Sequence, residues 1–212
     1  MKVKISKRFQ TRVKKSHRVL ECAEAFGLGL EEKEFVIYDN LELEVNLGDV
    51  VYITGESGSG KSLLLRDLAA AMSEDFRVAN ITDVVLTDDP IIDQIGESFS
   101  DALGILNVAG LNDAYLFIRT PKELSDGQLY RFKVAKMIAS GVDVLVADEF
   151  GAVLDRITAK VVAFNLQKMC RKQGKTLIVA TTHTDMVSEL APSLIVEKMF
   201  KDRVLITQKE VE

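Results

Sequence analysis

The chain has 212 residues, of which 47% are hydrophobic and 28% charged, enough for one sizeable domain with its own core. No apolar run approaches the roughly 18 residues a membrane span requires, and the opening MKVKISKRFQTRVKKSHR has no apolar stretch of the kind a secretory leader carries. The net charge of −5 hides an asymmetry: residues 1–18 hold eight Lys or Arg and no acid, whereas the other 194 hold 19 basic and 32 acidic residues.

That basic segment, 1–18, has two readings. It can contact nucleic acid or another polyanion, without base readout, or it can be a solvated edge that pairs with the protein's own acidic surface. Cys22 and Cys170 lie far apart and lack metal-ligand spacing. They are expected to be reduced, buried small hydrophobes in a cytoplasmic protein.

Along the chain, RVLECAEAFGL and DNLELEVNLGD alternate apolar and polar residues and predict two strands joined by the acidic turn EEKE. DVVYITG predicts a buried strand, GESGSGKS a glycine-rich loop, and KSLLLRDLAAAM a helix. ITDVVLTDDP predicts a further strand ended by Pro90. From Ile91 to about Phe117 the pattern is helical with breaks at Gly104 and Gly110, and Ser125–Ser140 predicts another helix. DVLVADE predicts a strand and DRITAKVVAFNLQKMCRKQ a helix, closed by a glycine at Gly174. TLIVATTH, SLIVEKM and DRVLITQ predict three more strands. Strands alternating with helices imply an α/β fold with a mainly parallel, helix-covered sheet. The early strands read as an antiparallel subdomain and residues 91–140 as a small helical subdomain, so 19–212 is expected to be a single domain.

Gly55-Glu56-Ser57-Gly58-Ser59-Gly60-Lys61-Ser62 matches the phosphate-loop pattern in full, with a strand before it and a helix after. The glycines let backbone N–H groups turn toward phosphates, and the helix dipole adds positive potential. Lys61 is expected on the β- and γ-phosphates and the Ser62 hydroxyl on Mg²⁺. The apolar run Val144–Ala147 delivers Asp148 and Glu149 to the carboxyl edge of the sheet, where ligands of such sheets bind. Asp148 is expected to hold Mg²⁺ through water, and Glu149 to orient and deprotonate the attacking water. His183 ends another central strand at that edge, placed to donate to the γ-phosphate in the transition state.

With LSDGQ (Leu124–Gln128) between the phosphate loop and the acidic strand, and the histidine after both, the chain resembles an ABC-type ATPase domain from about Val19 onward. GLNDAYLFIRTPKELSDGQLYRFKVAKMIASGVDVLVADE follows that family's pattern closely. Where the family usually has L-S-G-G-Q, this chain has Asp126, while Ser125, Gly127 and Gln128 are kept. The resemblance implies ATP and Mg²⁺ as ligands, ATP hydrolysis, and a head-to-tail dimer, with itself or a related subunit, in which each LSDGQ caps the partner's nucleotide. It also implies that AVLD, ending at Asp155, reaches across the dimer, and that Phe26 stacks on adenine, although Phe26 can equally be core. No glutamine stands after DVVLTDDP, where the family places one; Asp88 or Asp89 can substitute, and Gln94 belongs to the next helix. The opening AFGLGLEEKEFVIYDNLELEV resembles a soluble archaeal-type group often fused to a predicted acetyltransferase. On this basis the leading expectation is an ATPase driving a separate effector protein, possible nucleic-acid contact included. The alternatives are the ATP-binding subunit of a membrane transporter and an ATP-gated clamp with little turnover.

Overall fold

In the computed structural model, which describes residues 1–209, the chain opens with β1 (Lys2–Thr11), antiparallel to β2 (Lys33–Glu44). Val3 and Leu43 are buried where the two strands pack on the core. The basic segment 1–18 is thus largely a strand of the antiparallel subdomain, not an arm ahead of a domain beginning at residue 19. Four of its eight cations pair with acids of the same chain: Lys4 with Glu42 at 3.3 Å, Lys7 with Asp67 at 3.2 Å, Arg8 with Asp39 at 3.1 Å, and Arg12 with Glu32 at 3.0 Å. The C-terminal limit expected for the domain, residue 212, lies outside the described residues.

RVLECAEAF is a helix, α1 (His17–Phe26), where a strand was expected. Its apolar residues satisfy both periods, and the ends decide the matter. Ser16 caps the N-terminus by accepting from the Val19 N–H, and Gly27 closes the C-terminus in the left-handed conformation. After it come β2 and then β3 (Val50–Thr54), the phosphate loop, and α2 (Lys61–Met72).

The strand expected over ITDVVLTDDP does not form. β4 is only Val78–Asn80, because the Asn80 side chain accepts from the Thr82 N–H and turns the chain into a 3₁₀ turn at Ile81–Asp83. The helical subdomain comprises a 3₁₀ turn at Ile91–Gln94, α3 (Phe99–Val108), α4 (Ala114–Phe117) and α5 (Asp126–Ala139). Gly104 lies inside α3 and does not break it; Gly110, at φ +79°, follows its end. Then come β5 (Val144–Ala147), α6 (Arg156–Lys172), β6 (Thr176–Ala180), α7 (Val187–Leu190), β7 (Leu194–Lys198) and β8 (Val204–Gln208).

The main sheet has the order β4-β5-β6-β3-β7-β8, parallel throughout except for the antiparallel β7–β8 pair. Its central strands read as continuous apolar runs because both faces are covered. Tyr52, Leu145, Ala147, Leu177 and Val179 point into one cluster with α3, α5 and α6, while Val51, Ile53, Val144, Val146 and Ile178 point into another with α2 and the antiparallel sheet. No helix among the described residues is long and apolar enough to cross a membrane.

Candidate nucleotide site

The carboxyl ends of β3, β5 and β6 lie side by side, so the segments that leave them meet at one edge. There the phosphate loop borders a cavity of about 560 Å³, with Ser57, Gly58, Gly60, Lys61 and Ser62 on one side. Asp148, Glu149, Thr181 and Thr182 line it opposite.

Two of the loop's glycines are required by contact as well as by conformation. Gly55, at φ +139°, lies against the end of β7, and a Cβ there would sit 2.0 Å from the Lys198 carbonyl oxygen. Gly60, at φ +103°, would bring a Cβ to 2.8 Å from Ile37 of β2. The antiparallel sheet therefore packs directly on the loop. Lys198 is itself fully buried, with Nζ donating to the Met199 and Lys201 carbonyls at 2.5 and 2.6 Å, which holds the β7–β8 turn in place.

Lys61 is buried and its Nζ donates to the Glu56 carbonyl at 2.7 Å across the loop. Burial lowers its pKa, and the carboxylates of Asp148 and Glu149 oppose that shift. The Ser59 hydroxyl is buried and has no hydrogen-bond partner among the described residues. A curled loop, a cation within it and an unsatisfied donor fit a phosphate group. Ser62 and Asp148 face one another across the cavity and would hold Mg²⁺ alongside the phosphates. No group of three His, Cys, Asp or Glu with ligand geometry occurs among the described residues.

Glu149 is exposed at the cavity and adopts φ +48°, a left-handed conformation that costs a side-chain-bearing residue about 1–3 kcal/mol. Its N–H donates to Asp148 Oδ1 at 3.0 Å, and the turn lets the Phe150 N–H reach the Ala180 carbonyl at 2.9 Å. Phe150 is buried as a result. His183 follows Thr182 at the rim and is not among the lining residues. Its N–H donates to Thr181 Oγ1 at 3.2 Å, and its carbonyl accepts from the Tyr52 hydroxyl.

The other expected site residues lie elsewhere. Ser125 caps α5, accepting from the Gln128 N–H at 3.4 Å while Gln128 Oε1 accepts from the Ser125 N–H at 2.9 Å. Gly127 packs against the Val153 carbonyl and Leu154. LSDGQ and the loop ending at Asp155 thus adjoin each other; LSDGQ does not line the cavity, and of AVLD only Ala152 does. Asp155 caps α6, accepting from the Ile157 and Thr158 N–H groups at 3.1 and 3.0 Å. Hydrogen bonding from Thr158 in the first place holds its carboxyl below the usual range.

Phe26 is 76% exposed at the end of α1, so the core reading fails, and it does not line the cavity either. Two aromatics passed over in the sequence, Phe9 and Phe35, form a cross-strand pair, both about half-exposed, on the sheet whose Ile37 touches Gly60. The alternation Val3, Ile5, Lys7, Phe9 was the available cue for β1, masked by the basic residues between.

The segment at the missing-glutamine position is strapped to the helical subdomain. Asp88 pairs with Lys122 at 2.8 Å, and Asp89 accepts from Thr87 Oγ1 at 2.7 Å. Neither lines the cavity. Gln94, in a 3₁₀ turn, donates to the Asp89 and Thr87 carbonyls at 2.6 and 3.2 Å and accepts from Lys136 of α5 at 3.2 Å.

No protein-family model matches the chain. Among curated proteins it is 27% identical to the probable syringafactin export ATP-binding/permease protein SyfD of Pseudomonas syringae pv. syringae, over 85% of this chain and 34% of that one. It is 29% identical to the aliphatic sulfonates import ATP-binding protein SsuB 2 of Nocardia farcinica, over 92% of this chain and 84% of that one. The chain spans about a third of SyfD and 28% of the alpha-hemolysin translocation ATP-binding protein HlyB of Escherichia coli, to which it is 28% identical over 77% of its own length. Among solved structures it superposes on the ATP-binding cassette MJ0796, a dimer in a post-hydrolysis state with ADP and Pi. The TM-score is 0.66 at 19% identity, covering 86% of this chain and 95% of that one, a likeness of fold.

Proposed function

We propose that this chain, an ABC-type ATP-binding cassette in fold, motif order and relatives, binds and hydrolyses ATP as a head-to-tail dimer and drives a membrane-embedded transport partner. One observation carries the dimer: the phosphate loop and LSDGQ occupy separate places in the chain, so each cavity lacks the cap that a second copy would bring. The relatives' names, which speak of export, import and translocation, favour the transport reading over an effector acting on nucleic acid. Nucleic-acid contact loses its main support, since half of the cations in 1–18 are engaged by the protein's own acids. The cassette would sit at the cytoplasmic face, with the transport partner on the helical subdomain. Val85, Phe99, Tyr115 and Ile118, there and in the loop leading into it, are large, apolar and exposed.

In this mechanism the loop N–H groups and Lys61 hold the β- and γ-phosphates, and Phe9 and Phe35 carry the base in place of Phe26. When bound, Mg²⁺ neutralises charge between the phosphates, and Ser62 and Asp148 would hold it. Glu149 accepts a hydrogen bond from the attacking water and takes its proton as the bond from the γ-phosphorus to the bridging oxygen breaks. His183 donates to the γ-phosphate oxygens as charge develops, and the partner's Ser125 and Gly127 cap the same group.

The test is solution mass by light scattering of Glu149→Gln, with and without ATP and Mg²⁺. Mass should double only with nucleotide, and hydrolysis should fall by roughly 10²-fold or more. Lys61→Ala should abolish the doubling. A Glu149→Gln chain that hydrolyses ATP at the wild-type rate would remove Glu149 from its role. A chain that binds ATP and stays monomeric would move the second half-site to another protein.

A further inference from the structure

We propose that Arg156 is a positioning residue for His183, coupling the loop that ends at Asp155 to the loop that carries the histidine. The inference rests on the ATPase reading above and concerns how partner contact reaches the chemistry.

Arg156 is the first residue of α6, immediately after the Asp155 cap. A cation at a helix N-terminus opposes the helix dipole, so the position disfavours a guanidinium unless another group holds it there. That group is Asp185, two residues beyond His183. Arg156 Nε donates to Asp185 Oδ2 at 3.0 Å, and Nη2 lies against Oδ1 of the same carboxylate, so the pair is charged as well as hydrogen-bonded. The third nitrogen, Nη1, is buried and has no hydrogen-bond partner among the described residues, so the guanidinium depends on Asp185 alone.

The histidine loop is held from the opposite side by the sheet. Tyr52, fully buried in β3, donates its hydroxyl to the His183 carbonyl, and the buried Thr181 accepts from the His183 N–H. Met186 closes the segment in the core against Gly151 of the Asp155 loop. Residues 181–186 are therefore pinned at both ends and at the backbone of His183, and one of these ties, the Arg156–Asp185 pair, leads out of the sheet. It leads to the helix that begins at Asp155. Both partners of the pair are nearly half exposed, which makes it a poor stabiliser of the fold. Its geometry suits a different task, keeping two loops in register. A displacement of the Asp155 loop by a second copy moves Arg156, and through Asp185 it moves the backbone that carries the histidine ring.

Steady-state ATP hydrolysis by the full chain tests this, in wild type, Arg156→Gln, Asp185→Asn, the double variant and Tyr52→Phe, alongside melting temperature. Arg156→Gln and Asp185→Asn should each lose about tenfold or more in kcat with KM for ATP and melting unchanged, because the phosphate loop is untouched. Tyr52→Phe, which deletes a buried tie to the same loop, should instead lower kcat and melting together and serves as the reference for a structural loss. The double variant should be no slower than the slower of Arg156→Gln and Asp185→Asn, since the pair acts as one unit. Unchanged kcat in the Arg156 and Asp185 variants overturns the proposal. So do losses that multiply in the double variant, or losses in which KM and melting fall in step with kcat. A wild-type chain that binds ATP and never hydrolyses it sinks the ATPase reading and this inference together, whereas active wild type with equally active Arg156 variants sinks only the inference.

Discussion

Gly55 and Glu149 show two opposite uses of an unusual backbone. At Gly55 the left-handed φ and the Lys198 carbonyl at 2.0 Å from a would-be Cβ leave no way to place a side chain without moving β7 or the loop. Gly55→Ala should cost about 2 kcal/mol or more, read from the urea midpoint, and weaken nucleotide binding in the same variant. At Glu149 the same region of backbone space is occupied by a residue that pays for it with stability. Glu149→Gly should raise stability by about 1 kcal/mol, measured by thermal or urea unfolding, while abolishing hydrolysis. The phosphate loop was legible in the sequence because its function depends on contiguous residues and their local conformation. So was the acidic pair, set by a four-residue apolar run. Phe9 and Phe35 were not, since their adjacency depends on two strands pairing across 25 intervening residues that include a helix.

At the scale of elements, end signals and side-chain locks decided where periodicity was ambiguous. The pattern of α1 admitted strand or helix until Ser16 and Gly27 fixed its ends, and the apolar run after β4 failed as a strand because Asn80 turned the chain first. α2, α5, β5 and α6 matched their patterns closely, each with strong periodicity and clear boundaries. The segment around Asp88 makes a further point. Gln94 gathers residues 87–89 and links them to Lys136 of the LSDGQ helix. Gln94→Ala should therefore raise amide hydrogen exchange in residues 84–94 without lowering the protection of β5 or β6. Protection of 84–94 equal to wild type would show that Asp88–Lys122 and the Ile91–Arg119 bond hold the segment by themselves.

For the whole molecule, the separation of phosphate loop and LSDGQ makes complementation between defective chains the natural experiment. A Lys61→Ala chain has a sound LSDGQ, and a Ser125→Glu chain has a sound phosphate loop. Each should be inactive alone, and mixing them should restore hydrolysis, because one of the two composite sites in the mixed dimer is then intact. A mixture as inactive as its components would exclude the shared site.

The strand order has a consequence for how such a chain is made. β3, which delivers the phosphate loop, is flanked by β6 and β7, whose residues follow it by more than 120 positions. On a ribosome, VVYIT emerges well before either neighbour and has no strand to pair with until residues 176–198 have been synthesised. Contacts so distant in sequence are slow to form, and an unpaired apolar strand is exposed in the meantime. The nascent chain therefore carries this apolar segment unpaired while the intervening residues are made. The loop that follows β3 is thus framed on both sides only after β6 and β7 have joined the sheet, long after its own residues are made.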